Sequence, residues 1–93
     1  MTKAELINEI AISTGYDKTT IGIILESMMS NIKKNVAKGE YVYLRGFGSF
    51  ITKKRAAKVA RNISQNTSVL VPAHTIPAFK PANEFEDLVR DKK

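Results

Sequence analysis

Gly46-Phe47-Gly48-Ser49-Phe50-Ile51-Thr52-Lys53-Lys54-Arg55 is the stretch on which the fold turns. Before it, apolar residues recur at three- and four-residue steps, the period of a helix; from Tyr41 onward they alternate, the period of a strand. Tyr41-Val42-Tyr43-Leu44-Arg45 leads in with that alternation, so aromatic and β-branched residues flank a Gly-x-Gly. The pattern predicts a hairpin in which Gly46 or Gly48 takes backbone angles that other residues avoid.

Upstream, Thr2-Lys3-Ala4-Glu5 reads as a capping box that opens a helix. Leu6, Ile7, Ile10 and Ala11 form its apolar face and Gly15 ends it. Asp17 caps a second helix, in which Ile21, Ile24, Leu25, Met28, Ile32 and Val36 form a stripe until Gly39 closes it. Ile23 and Met29 lie off the stripe, making the apolar arc wider than one short partner helix requires, so part of it should face a second subunit. Downstream, a strand is expected from about Thr67 to Val71. Its continuation carries Pro72 and Pro77, which cannot donate to a ladder, so that strand is at an edge or is interrupted. Asn83 is expected to cap a short last helix with Phe85, Leu88 and Val89 inside. Between Lys53 and Val71 the large apolar residues are only Ile63, Val69, Leu70 and Val71, with Val59 between alanines. Such a stretch cannot bury a core and should project as an arm.

Charge is distributed unevenly. The chain has 93 residues and a formal net charge of +6. Residues 1–40 balance, and the last ten are slightly acidic. From Tyr41 to Asn83 the charged residues are Arg45, Lys53, Lys54, Arg55, Lys58, Arg61 and Lys80, with no acid. A solvated surface normally mixes signs; excluding acids over so long a stretch points to a polyanion as partner. In an extended strand Lys53, Arg55 and Arg61 point to one face and Lys54 and Lys58 to the other. An arm of about ten residues per strand would reach roughly 33 Å, enough to follow DNA partway around. Cations at phosphates release condensed counterions, so affinity should fall steeply with salt and carry little sequence information.

Other function classes find little support. There is no cysteine, hence no disulfide framework or Cys-based zinc site. His74 is the only histidine and is read as a surface residue or weak phosphate contact, not a metal ligand or base. The acid-free middle holds no acid pair, nucleophile with a base, or phosphate-cradling loop, so an enzyme is not expected; nor is a cofactor or a small-molecule substrate. Phe47, Phe50 and Phe79 could stack on bases, but their apolar neighbours favour core packing. Tyr41 and Tyr43 receive no role. No apolar run is long enough to span a bilayer, and Met-Thr-Lys-Ala-Glu-Leu lacks the order of a secretion signal; a soluble intracellular protein is expected. So short a chain buries a modest core, which makes a homodimer the default.

Gly46-Phe47-Gly48-Ser49-Phe50, Arg61-Asn62 and Pro72-Ala73-His74-Thr75-Ile76-Pro77-Ala78-Phe79-Lys80-Pro81 resemble, in order and spacing, the HU/IHF family of bacterial histone-like proteins. The likeness covers essentially the whole chain, including the Thr-Lys-x-Glu-Leu-Ile start. It implies an α+β fold: a helical base of two N-terminal helices, a β-sheet with an extended β-ribbon arm, and a short C-terminal helix. It further implies an intertwined homodimer or heterodimer whose arms enter the minor groove of double-stranded DNA, bending, wrapping and compacting it in the cytoplasmic nucleoid. Residues 1–93 would form a single domain, with 1–52 and 72–93 as dimer body and about 53–71 as DNA-binding arm. The DNA-binding set is Lys53, Lys54, Arg55, Lys58, Arg61, Asn62, Ile63 and Lys80, with Lys3, Arg45 and His74 as additional candidates.

Three departures stand out. Where the family has a wedging proline at the tip, this chain has Ile63, a branched apolar side chain of a type that can also enter a base step. Ala60 and Ser64-Gln65-Asn66 replace a glycine before the tip arginine and a Thr-Gly turn after it. Asn83 and Glu86 stand where relatives often carry lysines, which weighs against wide lateral wrapping on the body. The leading reading is an architectural binder of low sequence specificity. The alternatives are an IHF-like bender that selects DNA by its deformability, a structured-RNA binder, and a protein-interaction module with an acidic partner.

Overall fold

A computed structural model describes the backbone of residues 1–62 and 67–90, and their side chains except at 60–62 and 67–69. The order is α1 (Lys3–Thr14), α2 (Lys18–Ala37), β1 (Val42–Leu44), β2 (Gly48–Arg55), β3 (Lys58–Asn62), β4 (Thr67–Val71), β5 (His74–Pro81) and α3 (Asn83–Arg90). The α+β class and the three expected helices are present. The chain divides into two compact units, Met1–Lys34 and Asn35–Lys93.

In the first unit both helix starts are set by side chains. The Glu5 N–H donates to Thr2 Oγ1 at 3.2 Å and the Thr2 N–H to Glu5 Oε1 at 3.0 Å, completing the capping box. Gly15, with φ of 84°, ends α1 in the left-handed region and donates its N–H to Ala11 O at 2.8 Å. Asp17 caps α2: one carboxylate oxygen accepts the Thr20 N–H at 2.9 Å and the other the Thr20 hydroxyl at 2.7 Å. These bonds hold the carboxyl below its ordinary range, the Thr20 hydroxyl contributing most and the Thr20 N–H next. Ile7 approaches Gly22, where even an added methyl would meet its Cδ1 at an ordinary 3.8 Å. Ile21 is buried, but Ile23, Ile24, Met28 and Met29 remain exposed. The wide apolar arc read from the sequence is thus left largely uncovered by one chain.

In the second unit β1, β2 and β5 form an antiparallel sheet in that order, and β3 pairs with β4. Pro77 and Pro81 sit on the edge strand β5, where a missing N–H leaves no ladder bond unmade. The second expectation for this segment also holds: strand pairing is interrupted at Pro72-Ala73. Phe47, Phe50, Phe79 and Phe85 pack together, with ring centroids 5.1 Å apart for Phe47–Phe79, 5.0 Å for Phe50–Phe79 and 5.6 Å for Phe47–Phe85. The two glycines of the hairpin do different jobs. Gly46 takes a φ of 80°. Gly48 is buried, and a Cβ there would lie 2.5 Å from Phe79 Cζ and 2.7 Å from the Lys80 carbonyl oxygen.

The last helix differs from expectation in two ways. It begins at Asn83, and Ala82 takes the cap position: its carbonyl accepts the Glu86 N–H at 3.0 Å while its own N–H donates to Phe47 O at 2.9 Å. That tie to the hairpin fixes where the chain leaves the sheet, one residue earlier than side-chain preference suggests. Phe85 turns inward, but Leu88 and Val89 stay 68% and 65% exposed. The apolar stripe of α3 runs beyond the aromatic cluster, and Val89 borders an open groove of about 390 Å³ that Phe79, Pro81 and Phe85 also line.

Candidate nucleic-acid interface

The long strands β2 and β5 continue into β3 and β4 without losing register. Arg55 faces His74 at the end of the first ladder and Lys58 faces Val71 at the start of the second. Between them lie two residues on each strand, Ala56-Ala57 against Pro72-Ala73, so the interruption contains no bulge. Side chains that face each other across a ladder share a face, and successive rungs alternate. Phe50–Phe79 therefore fixes the side of the sheet that packs on α3. Ser49–Lys80, Ile51–Ala78, Lys53–Ile76 and Arg55–His74 occupy the other side.

On that second side Tyr43, Lys53, Arg55, His74 and Lys80 are exposed, while Ser49, Ile51, Ile76 and Ala78 are half-buried. Tyr43 faces Ser49, which faces Lys80, so a phenol, a hydroxyl and an ammonium lie side by side across three strands. Tyr43 is 71% exposed. Sequence reading gave it no role, since only register brings it into one row with Ser49 and Lys80. Lys53 and Arg55 continue this face and Lys54 lies on the reverse, as alternation requires; all three are exposed, as is Lys58 beyond the interruption. Among the described residues none of these four cations has a carboxylate partner. Val59 faces Leu70 farther out, and both are exposed, at 67% and 69%.

Pairing also shows what a linear charge count hides. Each cation faces an uncharged or titratable partner: Lys53 faces Ile76, Lys54 faces Thr75, Arg55 faces His74, Lys58 faces Val71 and Arg61 faces Ser68. All five cations stand on the outgoing strand. The return strand has no permanently charged residue from Thr67 to Phe79. Strands in a ribbon lie about 4.8 Å apart and the minor groove is about 6 Å wide. A ribbon lying in that groove would set its cationic edge along one phosphate wall and its neutral edge along the other.

The secondary candidates are placed differently. Arg45 is exposed in the hairpin. Lys3 pairs with Glu26, holding that carboxyl low chiefly through the hydrogen bond and then through charge. Arg61 and Asn62 lie in β3, but their side chains are not among those described, and Ile63 lies outside the described residues. Among the described residues no group of three or more His, Cys, Asp or Glu could hold a metal ion.

The bacterial DNA-binding protein family matches residues 1–90. This chain belongs to that family. The HU protein of Clostridium pasteurianum is 38% identical over 89 residues, covering 96% of this chain and 98% of the relative. The HU protein of Thermotoga maritima is 36% identical over 90 residues, with 97% and 100% covered. Among solved structures, Anabaena HU cocrystallised with DNA superposes with a TM-score of 0.90 at 32% identity, covering 96% of this chain and 97% of that one. This member of the family shares the HU fold along nearly its whole length.

Proposed function

We propose that this protein is a histone-like architectural DNA binder that acts as a dimer and bends the duplex with its ribbon arms in the minor groove. The observation that carries this reading is the acid-free ribbon on which Lys53, Lys54, Arg55 and Lys58 are all exposed, in a chain of the HU family with a DNA-bound relative of the same fold. Lys53, Lys54, Arg55, Lys58 and Arg61 serve as phosphate contacts, Lys80 and Arg45 as contacts at the root, Asn62 as a tip contact and Ile63 as the wedge. Lys3 contributes less because Glu26 already neutralises it. Residues 1–52 and 72–93 serve as body and about 53–71 as arm. A dimer accounts for the uncovered Ile24, Met28 and Met29 on α2 and Leu88 and Val89 on α3, since a chain of this size gains most of its missing core from a partner.

An identical partner subunit is the simplest assembly. The family's action on DNA supports a site of action in the cytoplasmic nucleoid and a role without catalysis. Among the described residues no helix is long and apolar enough to cross a membrane.

Gel shifts with intact duplex, nicked duplex and double-stranded RNA at two salt concentrations test the reading. Duplex DNA should shift, nicked DNA should shift more tightly because it bends at less cost, and both should weaken steeply with salt. Equal or tighter binding of RNA would overturn it.

A further inference from the structure

Between Thr67 and Phe79 on the return strand His74 is the one titratable side chain, and its ring is oriented by the backbone. Its Nδ1 lies 3.0 Å from the carbonyl oxygen of Pro72, at the interruption between β4 and β5. A carbonyl can only accept, so Nδ1 must carry a proton and donate it. The neutral ring held this way has a bare Nε2, whose lone pair opposes a phosphate oxygen. On protonation Nε2 gains a hydrogen and becomes a charged donor, with the Pro72 bond unchanged. The carbonyl thus fixes the tautomer in which one proton converts the outer ring edge from acceptor to donor.

The surroundings couple that proton to a bound polyanion. Arg55 faces His74 directly, Lys53 is two rungs along on the same face, and Lys54 and Lys58 lie on the reverse. No carboxylate occurs between residues 41 and 83. The nearest acids along the chain, Glu84 and Glu86, belong to α3, beyond the other end of β5. Among the described residues the charged groups near the ring along the ladder are all cations. Phosphates drawn in by those same cations would favour its charged form. We infer that His74 is a proton-operated phosphate contact at the root of the arm, which gives the return strand its only charge between Thr67 and Phe79 and tightens the hold on DNA as the pH falls.

The inference rests on the DNA-binding reading, and its test separates the two. Binding of a fluorescent duplex of about 30 base pairs is followed by anisotropy at a series of pH values from about 5.5 to 7.5. The wild type should bind more tightly at the acid end, by about fivefold per arm. Its salt dependence there should steepen by about 0.9 per arm. His74→Gln should lose most of this difference, and His74→Lys should bind tightly throughout. The side chain is exposed, so neither change removes packing. Nitrogen-15 spectra of the free protein's imidazole at neutral pH should show the Nδ1–H tautomer. An equal pH response in wild type and His74→Gln, or an Nε2–H ring, would overturn the inference. Failure of the wild type to bind duplex at any pH would overturn the DNA-binding reading itself.

Discussion

Replacing Gly48 with alanine tests whether the aromatic floor of the sheet seats the arm. The new methyl would lie 2.5 and 2.6 Å from two carbons of the Phe79 ring and 2.7 Å from the Lys80 carbonyl oxygen. Reaching an ordinary separation of 3.4 Å requires the ring to move by about 0.9 Å and the carbonyl by about 0.7 Å. The ring borders an open groove and can give only at the expense of its aromatic contacts, while the backbone carbonyl is the harder obstacle. Phe79 is held between Phe47 and Phe50, with centroids near 5 Å on both sides. The carbonyl belongs to β5, which is tied to β2 from Gly48–Pro81 to Arg55–His74. Overpacking of this kind costs about 1–3 kcal/mol, against about 0.4–1 kcal/mol gained by restricting the unfolded chain. With a backbone atom among the clashes the upper part of the range applies, leaving a net loss of about 2 kcal/mol, or a fall in Tm of roughly 10 °C for a domain this small. Thermal unfolding followed by circular dichroism at one fixed protein concentration measures it, since assembly makes Tm concentration-dependent. Gly46 is the control: its φ of 80° would strain alanine, but the nearest obstacle is the movable end of Glu84 at 3.2 Å. Asparagine, which tolerates the left-handed region, should therefore be accepted at 46 and rejected at 48. A Gly48→Ala protein melting within about 2 °C of wild type would refute the argument.

The remaining predictions concern the arm and the helix start. Lys54→Ala or Arg55→Ala should weaken duplex binding across sequences and flatten the salt slope by about one unit per lost contact per site, whereas Lys3→Ala, already paired with Glu26, should change it less; titrations at several salt concentrations decide. Ile63→Ala should reduce DNA bending more than affinity, because a wedge sets geometry while cations supply most of the binding energy; an unchanged end-to-end fluorescence transfer would remove Ile63 from the mechanism. Asp17→Ala should lower Tm at neutral pH. Because the folded carboxyl titrates below its ordinary value near 3.8, its stabilisation is present above that value and is lost as the pH falls through the folded one, so the two melting curves should converge in acid.

Features governed by local chemistry were legible in the sequence. The capping box at Thr2, the turn at Gly15 and the cap at Asp17 each depend on residues within four positions, and the change of period at Tyr41 located the sheet. The acid-free segment and the two Gly-Phe and Phe-Lys-Pro elements pointed to the family. What could not be read depends on pairing between distant residues. Gly48 looked like a turn glycine, but its constraint comes from Phe79, thirty-one positions away. Leu88 and Val89 share a helical stripe with Phe85, yet only Phe85 reaches the aromatic cluster; the stripe states which side is apolar, not what covers it. The confinement of the arm's cations to one edge follows from the register, as does the placement of Tyr43 in one row with Ser49 and Lys80. The charge count found the right segment but not its sidedness.

The matched two-residue interruption at Ala56-Ala57 and Pro72-Ala73 has a consequence for how this arm can vary in length. One residue inserted or deleted on a single strand would turn every side chain beyond it to the opposite face, exchanging the surroundings of Lys58 and Arg61 and parting the Val59–Leu70 pair. One residue added to each strand restores the pairing but leaves both strands turned over beyond it, so tolerated changes should come as two residues on each strand, and natural variants of this chain should differ in arm length by steps of four residues.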